Sequence, residues 1–388
     1  MNLFGDFYFF GFVLIASIPA VLIGIFEKPK KWYVFAATIF FVWSASTSNI
    51  GGLFYMIAFC IYQAALATGL LKLLKKRGRK PRLLHFGVLL SILPLCVYKI
   101  FSFYLHMHVL GFLGISYMTF KAAQIIIEIY DGLIEEVSLA DILQFFLFFP
   151  AILSGPIDRS RRFKEDLEAI PSRASYLEMV GDGLFKIILG ILYKFVIASA
   201  CYQAMTWLGN ENTFRSALIY MYAYGFYLFF DFAGYSNMAI GVSYIFGIRT
   251  PENFNKPFIS KDIKEFWDRW HITLSHWFRD FIFSRFTMSA MRGKWFKSKL
   301  TTSTCAFMIN MGIMGVWHGF DLQYIMYGLY HGILLSLTEI YQKKFKLHKR
   351  HKKEGWYKFA SWFITFNLVM FGLFIFSGRF THMLGIAD

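Results

Sequence analysis

Four of the chain's ten histidines, His271, His276, His318 and His331, fall in one stretch from Pro251 to His331. It reads PENFNKPFISKDIKEFWDRWHITLSHWFRDFIFSRF, then a basic linker, then INMGIMGVWHG and GLYHG. On a helix, Asp268 and His271 stand at i, i+3 and His271 and Ser275 at i, i+4, so the three can share a face. A carboxylate beside an imidazole fixes its tautomer and raises its basicity. Trp267, Arg269 and Trp270 would frame such a site, although Trp, Arg and His together also make up a membrane-interface belt with no chemistry. His276, five residues past His271, points elsewhere. His318 follows the apolar run MINMGIMGVW, with Trp317 before it and Gly319 after it. A histidine among apolar helices is rare enough to count as a functional candidate, or else is a satisfied core histidine. Gly315 and Gly319, at i−3 and i+1, are expected to leave room for a substrate to approach the ring. His331, in Tyr330-His331-Gly332, repeats that pattern more weakly and reads as structural.

The chemistry open to these residues is narrow. There is no HExxH, and HxxxxH fits no usual zinc spacing, so no metal site is expected. GxxxxGK[ST], GxGxxG and GxSxG are absent, which gives no sign of ATP hydrolysis, dinucleotide binding or a hydrolase nucleophile. Without a protein nucleophile, a histidine acting as general base on a substrate hydroxyl is the economical reading. Cys60, Cys96, Cys201 and Cys305 stand singly in apolar runs and read as free thiols. Asp231 lies in the apolar LFFDFAGYSNMAIG with Tyr235 and Ser236 at i+4 and i+5. It is either a structural hydrogen-bond anchor or part of the site, since a carboxylate there needs donors around it.

The elements that must hold these groups are membrane helices. The chain is 57% hydrophobic and 20% aromatic with a mean hydropathy of +0.48, and apolar runs of about 18 residues or more recur along it. Period-2 alternation is missing, so a β-barrel is excluded. Crossings are expected at about 5–26, 32–47, 51–71, 84–104, 108–130, 178–207, 214–248, 302–320, 324–341 and 356–380. The first is read as a retained helix rather than a signal peptide, because it lacks a basic leader and stays apolar past Ala20. Residues 140–157, broken by Pro150, Gly155 and Pro156, read as a re-entrant piece. Residues 249–300 read as cytosolic or interfacial amphipathic helices. Lys121 and Glu128 either face the bundle interior or snorkel at a helix end.

The net charge of +16 comes from lysines and arginines grouped between the apolar runs, at 27–31, 72–82, 158–162 and 343–353. That is the positive-inside pattern, so the charge is read as topology and not as nucleic-acid binding. It places those loops in the cytosol, and His106, His108, Gly209–Asn212 and both termini outside. The same basic face would attract an acidic partner. With no internal repeat and no Pro- or Ser-rich linker, residues 1–388 read as one all-α polytopic membrane domain in the lipid bilayer, with 251–331 as its core.

Taken together, GISYMTFKA (114–122), FFPAILSGPIDR (148–159), FDFAGYSNMAIG (230–241), PENFNKPFISKDIKEFWDRWHITLSHWFRDF (251–281) and MGVWHG (314–319) resemble the membrane-bound O-acyltransferase (MBOAT) superfamily. The chain length and the wording of 251–286 most resemble the branch serving teichoic-acid D-alanylation in Gram-positive bacteria. The resemblance implies a ring of about ten to eleven transmembrane helices with re-entrant or interfacial pieces around a central tunnel. It implies an invariant-type histidine at His318 and a second motif histidine at His271. It also implies a donor, D-alanine held as a thioester on the phosphopantetheine arm of a small acidic carrier protein, and no bound cofactor. The acceptor would be teichoic acid or an intermediary hydroxyl, and other membrane proteins of the D-alanylation pathway would be partners. An O-acetyltransferase for an extracellular polysaccharide is the alternative enzyme. A transporter or flippase of cell-envelope precursors is the alternative from another class, since broken helices and intramembrane charges suit that too.

Overall fold

In the computed structural model the described residues are 1, 3–107, 109–208 and 213–386, and among them there is no strand. His108 and Gly209–Asn212, expected in outer loops, lie outside them. The helices are, in order, α1 Phe7–Ile25, α2 Lys31–Ser46, α3 Ile50–Arg77, α4 Pro81–Leu105, α5 Ile115–Asp131, α6 Leu139–Leu147, α7 Ser160–Glu168, α8 Arg173–Ile191 and α9 Ala198–Leu208. They continue with α10 Phe214–Ile245, α11 Ile263–Trp267, α12 Ile272–Phe278, α13 Ser284–Arg292, α14 Lys299–His318, α15 Leu322–Lys344, α16 Lys346–His351, α17 Gly355–Phe376 and α18 Arg379–Met383.

Among the described residues, six stretches are long and apolar enough to cross a membrane: Tyr8–Ile25, Ile50–Arg77, Pro81–Leu105, Arg173–Leu208, Lys299–His318 and Gly355–Phe376. The chain is an all-α, multi-pass membrane protein. The other expected crossings are helical too, but α2 and α5 have only 16 and 17 residues, and α10 and α15 are not among those six. The broken run at 140–157 holds the nine-residue α6, too short to cross, and a 3₁₀ turn at Phe149–Ala151.

The contacts divide the chain into two compact units, residues 1–191 with 234–251, and residues 192–233 with 252–388. In the first unit the helix ends follow elementary capping rules. The Asp6 carboxylate accepts from the Phe9 N–H at 2.7 Å to open α1, and the Asn49 side chain accepts from the Gly52 N–H at 2.8 Å to open α3. Lys75, Lys76 and Arg77 occupy the last turn of α3, where the helix dipole favours cations. Two charges within α5 are turned inward: Lys121 is buried and donates to the Phe145 carbonyl at 2.9 Å, and Glu128 is buried and accepts from the Ser160 hydroxyl at 2.8 Å. Interior hydrogen bonding, not snorkelling, is how this helix holds them.

The second unit contains His271, His276, His318 and His331. Its centre is the antiparallel pair α14 and α15, joined by three residues. At their crossing, a methyl group on Gly315 would come within 2.5 Å of the Tyr324 carbonyl oxygen, and one on Gly328 within 2.5 Å of the Met311 carbonyl oxygen. Only glycine permits so close an approach, the small-residue packing by which membrane helices associate. Helix α17 lies beside α15, with the Tyr330 hydroxyl donating to the Leu368 carbonyl at 2.9 Å. Helix α11 is tied to α15 by Lys264, which pairs with Glu339 and donates to Gln342 at 2.8 Å, and by Gln342, which donates to Asp262 at 2.9 Å. The aromatics of 263–278 are not an interfacial belt. Phe266, Trp267, Trp270, Trp277 and Phe278 are all buried in the protein.

Candidate active site

The expectation that Asp268, His271 and Ser275 share one helical face requires a continuous helix, and the chain breaks there. Helix α11 stops at Trp267 and α12 starts at Ile272. His271 between them sits at φ 42°, the left-handed region that costs a non-glycine residue free energy and is found mostly where structure over-determines it. What over-determines it is Asn253, which is fully buried. Its carbonyl accepts from the Ile272 N–H at 2.9 Å. Its side-chain oxygen accepts from the Thr273 hydroxyl at 2.8 Å and the Thr273 N–H at 3.4 Å, and lies 3.0 Å from His271 Nδ1. A backbone N–H can only donate, so the Asn253 atom is the amide oxygen and Nδ1 must carry the proton. His271 therefore presents Nε2 as the lone-pair nitrogen.

Asp268 does not orient His271. It is exposed and lies 3.8 Å from Arg279. The Ser275 hydroxyl donates to the Trp270 carbonyl at 3.0 Å, and Arg269 bridges Glu265 at 2.9 Å and the Asn255 carbonyl at 3.2 Å. Both brace the turn rather than reach the imidazole. The His271 ring meets the Phe232 ring edge-on at 4.8 Å, and Trp270 packs on Phe254 at 5.2 Å. Burial, and secondarily the charge of His318, push His271 down to about 3, so the ring is neutral at physiological pH. The unfolded chain takes up this proton near the ordinary histidine value while the folded one does not. Stability from this group is therefore complete above about pH 6.5 and lost as pH falls toward 3. Ring-nitrogen NMR of His271-labelled protein should show no protonation between pH 8 and 5.

His318 is the last residue of α14 and is half-buried. Aromatic rings surround it: Trp317 at 4.6 Å, Phe376 edge-on at 5.0 Å, Tyr324 stacked at 6.1 Å and Tyr327 edge-on at 6.2 Å. The room expected beside its two glycines is taken by protein. α15 fills the space at Gly315, and the Tyr324 ring stands 2.5 Å from where a Gly319 methyl would be. The glycines let α15 and Tyr324 close in on the imidazole; they are not the substrate's entrance. His318 is near enough to His271 for its charge to bear on that ring.

His331 stands between their supports. It is fully buried, with Tyr327 at 4.6 Å and Trp267 edge-on at 5.3 Å. Among the described residues, none hydrogen-bonds either of its ring nitrogens or the Trp267 indole N–H. A methyl group on Gly372 of α17 would come within 2.6 Å of His331 Nε2. Gly372→Ala should therefore displace the His331 ring and cost roughly 1–3 kcal/mol by overpacking, read as a lower melting temperature of the detergent-solubilised protein. Asp231 is ion-paired with Lys194, a partner 37 positions away that the sequence pattern did not suggest. Tyr235 is buried against Phe4 at 5.0 Å, and Ser236 is buried. Among the described residues no three of His, Cys, Asp and Glu converge as metal ligands.

His271 and His318 are both packed against aromatic rings, in a chain that has, among the described residues, six stretches long and apolar enough to cross a membrane. The comparisons with known proteins identify the class. Residues 126–377 match the model of MBOAT, the membrane-bound O-acyltransferase family. The chain is 40% identical to the teichoic acid D-alanyltransferase of Bacillus subtilis strain 168, over 98% of this chain and 99% of that one. It is also 40% identical to the teichoic acid D-alanyltransferase of Streptococcus thermophilus, over 97% of this chain and 94% of that one. A probable alginate O-acetylase of Pseudomonas fluorescens is 34% identical, over 72% of this chain and 53% of its own length. The chain belongs to the membrane-bound O-acyltransferase family and is an acyltransferase.

The residue that sequence reasoning missed is Asn253. Removing its side chain leaves Nδ1–H and the Thr273 hydroxyl without their acceptor, a loss of about 1–3 kcal/mol. If expressed in turnover, that lowers the transfer rate of Asn253→Ala roughly 5- to 150-fold. Asn253→Asp keeps the acceptor and should retain more activity, as measured per inserted molecule.

Proposed function

We propose that this protein transfers D-alanine from the phosphopantetheine thioester of an acidic carrier protein toward hydroxyls of teichoic acid, with His318 as general base. The observation that carries this reading is the near-full-length likeness to two teichoic acid D-alanyltransferases, together with the paired settings of His318 and His271. The basic loops would face the cytosol, both termini the outside, and 251–331 would be the core of one membrane domain. The carrier docks on the basic face, where opposite charge speeds encounter, and its arm carries the aminoacyl group inward.

In the chemical step the acceptor hydroxyl loses its proton to the His318 ring as its oxygen attacks the thioester carbonyl. The tetrahedral intermediate collapses with cleavage of the C–S bond, and the sulfur leaves as a thiol after taking up the proton held by His318. The products are a D-alanyl ester and the free phosphopantetheine thiol. His271, neutral and fixed in tautomer by Asn253, would position the thioester through Nε2, and the Trp267–Trp270 turn would wall the approach.

The alginate O-acetylase relatives are matched over about half their length and fit less well. The test is to complement cells lacking the protein and to analyse the ester on purified teichoic acid. D-alanine ester should return. An acetyl ester on an extracellular polysaccharide, with no D-alanine ester, would overturn the assignment.

A further inference from the structure

The second unit has a cavity of about 470 Å³ that the reaction does not use, within the size range of small-molecule sites. Its walls come from the start of α11, the end of α15, α16 and the first half of α17. One end is cationic, with Lys261, Lys352, Lys358 and His348 in the lining. The other is apolar, lined by Ile364 and Leu368 of the membrane-crossing helix α17. Ile364, Leu347 and Trp356 are more than half exposed or nearly so, which leaves the apolar side open toward the bilayer.

The cationic end is not neutralised from within. Two carboxylates line the wall, and both are committed elsewhere. Asp262 accepts from the Lys264 and Glu265 N–H groups at 2.9 Å each and from Gln342 at 2.9 Å. Glu265 is held by Arg269 at 2.9 Å and by the Lys261 N–H at 2.9 Å. Among the described residues no carboxylate pairs with the ammonium groups of Lys261, Lys352 or Lys358. His348 Nδ1 lies 3.0 Å from the Tyr357 hydroxyl, which in turn donates to the Tyr341 hydroxyl at 3.1 Å. These groups add a hydrogen-bonded polar chain to the same wall.

A ligand that satisfies both ends carries an anionic phosphate at one end and hydrocarbon at the other. We propose that this cavity is a binding site for an anionic phospholipid, its phosphate among the three lysines and an acyl chain along Ile364 and Leu368. Basic pockets between membrane helices bind anionic headgroups in this way. Because one wall is the opening turn of α11, the bound lipid braces the element that leads into Trp267 and the His271 turn.

The test uses the full-length protein, delipidated and returned to nanodiscs or detergent with phosphatidylglycerol or phosphatidylcholine, and native mass spectrometry to count retained lipid. Wild type should retain phosphatidylglycerol over phosphatidylcholine. Lys261→Gln with Lys352→Gln and Lys358→Gln should weaken phosphatidylglycerol about fivefold per lysine, on the order of 100-fold for three. The corresponding triple arginine variant should bind as wild type does. Equal retention by wild type and the glutamine variant overturns the site. So does full displacement of the lipid by sn-glycerol phosphate alone, which would make this a pocket for soluble phosphate. A third contrary outcome is unchanged lipid retention with lost binding of an acidic protein, which would make the lysines a protein-docking surface.

Discussion

Alanine at position 318 should lower acyl transfer by about 10²–10⁴-fold, the usual contribution of a general base, with the protein still inserted at its normal level. The separation of effects follows from where the residue sits. His318 is the final residue of α14, so its side chain closes no later turn of that helix and packs within the aromatic cage around it. Alanine leaves Phe376 packed on Tyr324 at 5.1 Å and on Tyr327 at 5.0 Å, and the loss falls on chemistry. Glutamine at the same position can still hydrogen-bond a hydroxyl but cannot take its proton. His318→Gln should therefore be as inactive as His318→Ala. If glutamine restored most of the rate, the ring would be a positioning group and the proton would be going elsewhere. Rates would be followed as ester formed per inserted molecule, with donor and acceptor both saturating.

Gly315→Ala should cost activity on a comparable scale while touching no reacting group. Its new methyl would meet the Tyr324 carbonyl oxygen at 2.5 Å and the Gly328 Cα at 3.1 Å. Both are backbone atoms, so no flexible side chain can yield and the two helices must part. His318 lies one turn further along α14, and a displacement of about 1 Å at a reacting group can cost on the order of 100-fold. Gly328→Ala attacks the same crossing from the other side, at 2.5 Å from the Met311 carbonyl oxygen, and should give a similar loss. Because the two changes strain one contact, the double variant should lose less than the sum of the two. Gly312→Ala is the control. It lies on the same helix, with no atom within 4 Å of the added methyl, and should retain activity with a stability neutral or raised by up to about 1 kcal/mol through helix propensity. Loss of activity in Gly312→Ala equal to that in Gly315→Ala would mean that glycine flexibility, and not helix approach, is what α14 requires.

Much of this was legible in the sequence because it is carried by local pattern. Apolar runs of membrane length announce helices wherever they occur, and the run ending in Trp317-His318-Gly319 is a helix that terminates on its histidine. The family motifs were legible for the same reason. What could not be read is what distant residues do to one another. Nothing between Ile263 and Phe278 is a glycine or a proline, so the pattern reads as one helix, and Asp268 then falls beside His271. The break is imposed from outside, by Asn253 taking the Ile272 N–H and by the Arg269 carbonyl accepting from the Asn255 N–H. A residue 18 positions away supplies the hydrogen bond that the pattern assigned to Asp268. Likewise Gly315 looked like space for substrate because its partner, Gly328, belongs to the next helix, and the register between two helices is not written in either one. Lys194 and Asp231 each look like an isolated charge in an apolar run, and only the packing makes them a pair.

The central claim is that His318 takes the proton from the acceptor as the thioester is opened. The most direct measurement is reconstitution of the purified protein in vesicles with carrier protein charged with D-alanine, following loss of the thioester and appearance of the ester together. Wild type should consume thioester at a rate that depends on the acceptor hydroxyl, while His318→Gln should leave it intact at equal carrier binding. Thioester loss coupled to ester formation at the wild-type rate in His318→Gln would contradict the account.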